Sequence, residues 1–214
     1  MIIFCLTNHP KIKPQGIFDN PQTGNLSVNV QSPEHTALAL QIATAANVLL
    51  KNDRDILPID SSSIKTIGVI GNDAYTDVTA VGHGSGYVVP PYIVSPLDGI
   101  RKYISSHKLP IKVTYAPSEP IDQAMSIAKA ADIAIVFIAN TSSEGADRSS
   151  LSMGPGQDKL ISLVSSVQRN TVAVIHTPGA VLMPWEKQVA AIMVAFLPGQ
   201  MDGKMNFFNV FISF

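Results

Sequence analysis

One stretch restricts the possible folds more than any other: residues 133–151, reading IAIVFIANTSSEGADRSSL. Ile133 to Ala139 is a continuous apolar run rich in Ile and Val, the pattern of a strand buried on both faces of a parallel sheet. It predicts a strand at the centre of a sheet. From Asn140 the chain turns small and polar through Thr141 to Leu151. That predicts a loop at the carboxyl end of the strand, where open α/β sheets place their ligand sites. Glu144 lies in this loop between Ser143 and Gly145, with Asp147 and Arg148 close behind.

The remaining chain alternates between two periods. Thr66–Ile70, Ile111–Tyr115, Thr171–Ile175 and Ala190–Phe196 read as further strands. Helical spacing joins Leu38, Ile42, Ala45, Ala46 and Leu49 between His35 and Lys51, and Leu97, Ile100 and Ile104 after a Ser95-Pro96 cap. The same spacing runs through Ile121–Ala131 and Gly156–Gln168. Such alternation predicts an α/β fold, a three-layer α/β/α sandwich around a mostly parallel sheet of about five to six strands. Residues 1–31, punctuated by Pro10, Pro14, Gly16, Pro21 and Gly24, read as an irregular linker, which leaves 32–214 as the folded domain.

Charge and cysteine content then remove several functions. Fifteen Lys and Arg against sixteen Asp and Glu give a net charge of −1, so there is no electrostatic case for nucleic acid or for an acidic lipid surface. A neutral ligand is the better expectation. The single cysteine, Cys5, forbids an internal disulfide, and the five histidines lack close Cys or His partners, so neither a structural metal nor a cofactor is expected. No apolar run approaches the ~20 residues that span a bilayer. The opening MIIFCLTNHPKIK lacks the leading basic residues and the apolar length of a signal peptide. The sequons Asn25-Leu26-Ser27 and Asn140-Thr141-Ser142 point instead toward a secretory compartment.

The segment SSEGADRSSL resembles the acid/base loop in the second domain of glycoside hydrolase family 3, the β-glucosidase and β-xylosidase family, in which a Ser-x-Glu-Gly pattern followed by Asp-Arg carries the proton-donating glutamate. VLLKNDRDILPI, VIGNDA, VGHGSGYVVP, HTPGAVLMPW and FLPGQ resemble other blocks of that domain in the same order. The resemblance implies an α/β sandwich of about six strands, one of them antiparallel, and a general acid/base at Glu144. It also implies an amino-terminal barrel that would carry the nucleophilic aspartate and most sugar contacts. That barrel is not in this sequence, and Asp55, Asp73, Asp77, Asp98, Asp122 and Asp132 match no motif that would replace its aspartate. After FLPGQ the resemblance fades through MDGKMNFFNVFISF, so the sandwich is expected to be incomplete at its carboxyl end.

Retaining glycosidases need two carboxyl groups about 5–5.5 Å apart, one of them with a raised pKa. Glu144 suits the second role if apolar surface closes over it, although a lone loop glutamate is by default a solvated carboxylate. Asp147 and Arg148 are expected to brace the loop as an ion pair. Gly84 and Ser85, in a glycine-rich loop whose amides could approach a ligand, join them as candidates, as does Trp185, a possible sugar platform but more often core. The implied partners are β-linked oligosaccharides or aryl glycosides and the missing barrel. The chain alone is expected to be inactive. Rival readings are a non-catalytic carbohydrate-binding or structural remnant, a nucleotide-binding protein and a serine hydrolase. GHGSG opens no helix as a dinucleotide loop should, and no Gly-x-Ser-x-Gly elbow is present.

Overall fold

A computed structural model describes residues 24, 25 and 27–211, except the side chains of residues 205–209. Most of the expected linker, including the GIFDNP segment and Cys5, lies outside the described residues. The chain divides into two units, 1–33 and 34–214, and everything below concerns the second.

Its elements follow the alternation. Helix α1 spans Pro33–Ala45, β1 Val48–Asn52, β2 Thr66–Ile70 and α2 Pro96–Ser106. Strand β3 spans Lys112–Ala116, α3 Ile121–Ala130, β4 Ile133–Ala139 and α4 Pro155–Val167. The order closes with β5 at Thr171–His176, β6 at Ala191–Val194 and α5 at Asp202–Phe211. The six strands form one sheet in the order β1-β6-β5-β4-β2-β3. Only β1 is antiparallel, pairing Val48 with Val194 and Asn52 with Ala191. The sheet is the mostly parallel α/β arrangement that the strand and helix periods predict.

β4 lies between β2 and β5 and alternates between two cores. Ile133, Ile135 and Phe137 pack with Leu97, Ile100, Val210 and Phe211 on the α2 and α5 side. Ala134, Val136 and Ile138 pack with Ala124, Ala128, Leu160 and Val164 on the α3 and α4 side. Burial on both faces is the physical reason for the unbroken apolar run. At about 25 cal/mol per Å2 of apolar surface, such a central strand stabilises the fold more than an edge strand of equal length.

One expectation needs correction. The helix read from His35 to Lys51 ends at Ala45, and Val48–Asn52 is an edge strand with a bulge between Leu49 and Lys51. Asn47 stops the helix by donating its side-chain amide to the Ala43 carbonyl at 2.8 Å. Leu38 and Ile42, which share the helical spacing, are 51 % and 60 % exposed. At the carboxyl end, where the resemblance fades, Asp202–Phe211 form α5, which packs against α2. Val210 is fully buried, Phe211 stacks on Tyr103 at 4.9 Å, and the Ile59 amide donates to the Val210 carbonyl at 2.7 Å.

Candidate active site

The loop after β4 is held from three sides. The Asn140 amide donates to the His176 carbonyl at 3.0 Å, which extends the β4–β5 pairing by one residue. The His83 amide, in the loop between β2 and α2, donates to the Ser142 carbonyl at 3.3 Å. Further on, the Leu182 amide in the β5–β6 connection donates to the Leu151 carbonyl at 2.9 Å. Three strand ends thus fix one polar loop at the carboxyl edge of the sheet.

Its tip is a tight reversal, with the Ala146 amide donating to the Ser143 carbonyl at 3.2 Å and Gly145 at a φ of 75°. The reversal projects Glu144, which is exposed. One carboxylate oxygen, Oε2, accepts from the Ser85 amide at 2.8 Å. Gly84 makes this approach possible. A Cβ there would lie 2.6 Å from Glu144 Cβ, and its φ of 112° is one that other residues rarely adopt.

Ser85, through its hydroxyl and then its amide, holds the Glu144 carboxyl below the ordinary glutamate range. Sequence reasoning expects the opposite shift, on the premise that apolar surface closes over the side chain. In this chain the desolvation of Glu144 is the smallest influence, and hydrogen bonds to the charged form decide the direction. Gly84 and Ser85, singled out as possible ligand contacts, here serve Glu144.

The remaining candidates separate. Arg148 donates from Nη2 to the Ala180 carbonyl at 2.8 Å, so it braces the loop through the β5–β6 connection and forms no ion pair with Asp147, which is exposed. Trp185 is fully buried and donates from Nε1 to Asp158 Oδ1 at 2.8 Å. It is core, and no pyranose ring can stack on it. Asn140 belongs to a sequon, and both polar atoms of its side chain are buried in the folded domain.

The aspartates without a motif mostly serve the fold. Asp98 accepts from the Ser95 hydroxyl at 2.8 Å in the cap of α2. Asp132 accepts from the Lys65 and Thr66 amides at 2.8 Å each. Asp73 belongs to a cluster that sequence reasoning missed: His176 is completely buried, with Nδ1 hydrogen-bonded to Asp73 Oδ2 and Nε2 3.1 Å from Asp202 Oδ1. Burial would push the imidazole pKa down, but the charges of Asp202 and Asp73 and their hydrogen bonds outweigh it and hold the ring well above its ordinary value. The only sequence signal was a histidine ending an otherwise apolar strand. Among the described residues no group of three or more His, Cys, Asp or Glu could hold a metal ion, and no helix is long and apolar enough to cross a membrane.

Residues 47–207 match the glycosyl hydrolase family 3 C-terminal domain. The chain is 32 % identical over 216 residues to a probable β-glucosidase L of Aspergillus terreus, covering 89 % of this chain and 29 % of that protein. It is 31 % identical over 164 residues to a β-xylosidase of Formosa agariphila, covering 70 % of this chain and 22 % of the relative. Among solved structures, a Chaetomium thermophilum β-glucosidase superposes with a TM-score of 0.77 at 29 % identity, over 89 % of this chain and 25 % of the other. The β-D-glucoside glucohydrolase of Trichoderma reesei gives a TM-score of 0.78 at 27 % identity, over 95 % and 36 %. The chain therefore spans less than a third of the length of these curated relatives.

Proposed function

This chain belongs to glycosyl hydrolase family 3, as a C-terminal domain of that family, and from that premise we propose that it supplies the general acid/base of a retaining β-glycosidase. The substrate class is terminal β-linked glucosides or xylosides, and the group that moves the proton is Glu144. The observation that carries the reading is its placement: an exposed carboxylate on the loop after the central strand, aimed by the Ser85 amide at 2.8 Å. The nucleophile is expected from an amino-terminal barrel outside this sequence, so the chain carries one of the two catalytic carboxyls and is inactive alone.

The two half-reactions need Glu144 in opposite states. In the first, its carboxyl proton passes to the glycosidic oxygen as the nucleophile attacks the anomeric carbon. In the second, its carboxylate takes a proton from the water that releases the sugar. Ser85 favours the charged form, which suits the second step only. Closure of a partner domain over the loop would remove water from the carboxyl and raise its pKa toward what the first step requires.

The same observation favours a second reading, a non-catalytic remnant of the fold in which a permanently ionised Glu144 only binds sugar hydroxyls. Kinetics on the chain fused behind the barrel of a relative separates the two. Glu144→Gln should lower turnover of phenyl β-glucoside by about 10²–10⁴-fold, the usual worth of acid catalysis. A 2,4-dinitrophenyl glucoside needs no proton on its leaving group and should lose far less in the glycosylation step. Equal losses on both substrates, or none, would leave Glu144 without the proton-donating role.

A further inference from the structure

His176, at the end of β5, is attached to both of the loops that meet at Glu144. Its carbonyl accepts the Asn140 amide at 3.0 Å, where the loop that carries Glu144 leaves β4. Its side chain reaches the other loop, because Nδ1 is hydrogen-bonded to Asp73 Oδ2 just after β2. Asp73 passes the connection on: its second oxygen, Oδ1, accepts the Thr79 amide at 2.8 Å. From Thr79 the chain runs to His83, whose amide donates to the Ser142 carbonyl at 3.3 Å, and to Ser85, whose amide meets Glu144 Oε2 at 2.8 Å. The β6–α5 connection grips the same assembly from a third side. There the Gly199 amide donates to the Ala80 carbonyl at 2.8 Å, and Asp202 Oδ1 stands 3.1 Å from His176 Nε2. A buried ion pair is by itself weak evidence for stability, since apolar residues of similar volume often serve as well. What apolar residues cannot do is tie the Thr79 amide to the end of β5 in one direction and at one length.

We propose that His176 and Asp73 are positioning residues for the proton donor, setting the register between the loop that carries Glu144 and the loop that carries Ser85. The proposal rests on the role given to Glu144 and adds the device that aims its carboxyl. Neither residue touches Glu144. His176 holds the root of one loop through its backbone and Asp73 through its ring, and Asp73 fixes Thr79, from which the Ser85 amide is presented. Both oxygens of Asp73 are needed, Oδ2 for the ring and Oδ1 for the Thr79 amide. A carboxamide in its place offers one acceptor and turns an N–H donor toward the other partner, so it cannot hold both.

The test is Asp73→Asn in the isotopically labelled chain, reading the Glu144 carboxyl titration together with the Ser85 amide signal by NMR. In the wild type the amide signal should follow the Glu144 titration, because the two groups are bonded. In Asp73→Asn the titration should rise toward the ordinary glutamate range, and the Ser85 amide should stop following it. Ile104→Ala, a core truncation near the far end of α2, should lower stability yet leave both signals as in the wild type, which separates positioning from stability. Should Asp73→Asn not fold, Thr79→Pro removes only the donor on the loop side and should produce the same rise. A Glu144 titration unchanged in the folded variant, or changed equally in Ile104→Ala, would overturn the proposal. In the fusion to a family barrel, Asp73→Asn should lower kcat on phenyl β-glucoside by about ten- to a hundredfold with little change in KM, the usual consequence of a misplaced catalytic group. An unchanged kcat where Glu144→Gln does lose turnover would overturn it as well. Failure of the acid/base reading looks different: Glu144→Gln would then cost no turnover, while Asp73→Asn would still move the Glu144 titration and so support the positioning role.

Discussion

Glu144 is contacted by a residue 59 positions away, and that pairing moves its titration downward. A depressed folded pKa means that the bond contributes stability above the unfolded glutamate pKa and that this contribution is lost as pH falls through the folded value. For an exposed group the effect on stability is small, so it is best seen by carboxyl NMR. Ser85→Ala removes the hydroxyl and should move the Glu144 titration up toward the ordinary range; an unchanged titration would show that the amide suffices. Gly84→Ala should be worse, because the added Cβ meets the backbone amide of Glu144 at 3.0 Å as well as its Cβ. About 1–3 kcal/mol of stability should be lost in denaturant unfolding, a range set by strain at a positive φ. Glu144 is singled out by the sequence because the residues that surround it form a contiguous pattern. Ser85 was legible only as a member of a glycine-rich loop, since its role comes from a contact that adjacency does not reveal. His176 and Asp73, 103 positions apart, illustrate the same limit in the core.

Secondary-structure elements were legible where burial imposes a period and obscure where a distant partner does. The long run of β4 and the Ser95-Pro96 start of α2 follow from local chemistry; the Ser95 hydroxyl does accept from the Asp98 amide at 3.1 Å. β1 was absorbed into α1 because VLLKN continues the apolar spacing of the helix, and only its antiparallel partner β6 makes it a strand. Helix α5 depends on the carboxyl edge in two ways. A Cβ on Gly203 would meet the Ser95 carbonyl oxygen at 1.9 Å, and one on Gly99 would meet the Gly203 carbonyl oxygen at 1.8 Å. Gly203→Ala should therefore displace α5 from α2 and cost several kcal/mol, measurable as loss of protection at the Ile59 amide in hydrogen exchange. The first turn of α5 also holds Asp202, the partner of His176. Since the folded imidazole pKa is raised, this cluster stabilises the fold fully below the unfolded histidine value and loses that contribution as pH rises through the folded one. Unfolding midpoints should fall on the alkaline side, and Asp202→Asn should shift that fall to lower pH by removing one of the two carboxylates that hold the proton on the ring. A wild-type midpoint that is flat with alkaline pH would contradict the assignment of a charged ring.

For the folded domain as a whole, exposed apolar residues concentrate next to the candidate site. Tyr87, Val88, Val89, Tyr92 and Ile93 occupy the same β2–α2 loop as Ser85, and Val88 and Val89 are 68 % and 72 % exposed. Leu151 and Leu182 add to the apolar surface of the two neighbouring loops. Exposed apolar side chains gathered in one loop mark a face meant to be covered. The chain alone should self-associate, and Val88→Asp with Val89→Asp should reduce that in sedimentation experiments while leaving the sheet intact. Fusion to the barrel of a relative should have the same effect by covering the face. The layered fold was legible because alternation of the two hydrophobic periods specifies it, whereas the nucleophile proposed to complete the site matches no motif in this sequence.

The most direct measurement is the pKa of Glu144 by carboxyl-labelled NMR, taken in the chain alone and again in its fusion to a family barrel. In the chain alone Ser85 should hold it below the ordinary glutamate range, and in the fusion desolvation should lift it above that range. A value that stays depressed when the barrel is in place would contradict the account, because a carboxyl ionised throughout has no proton to give.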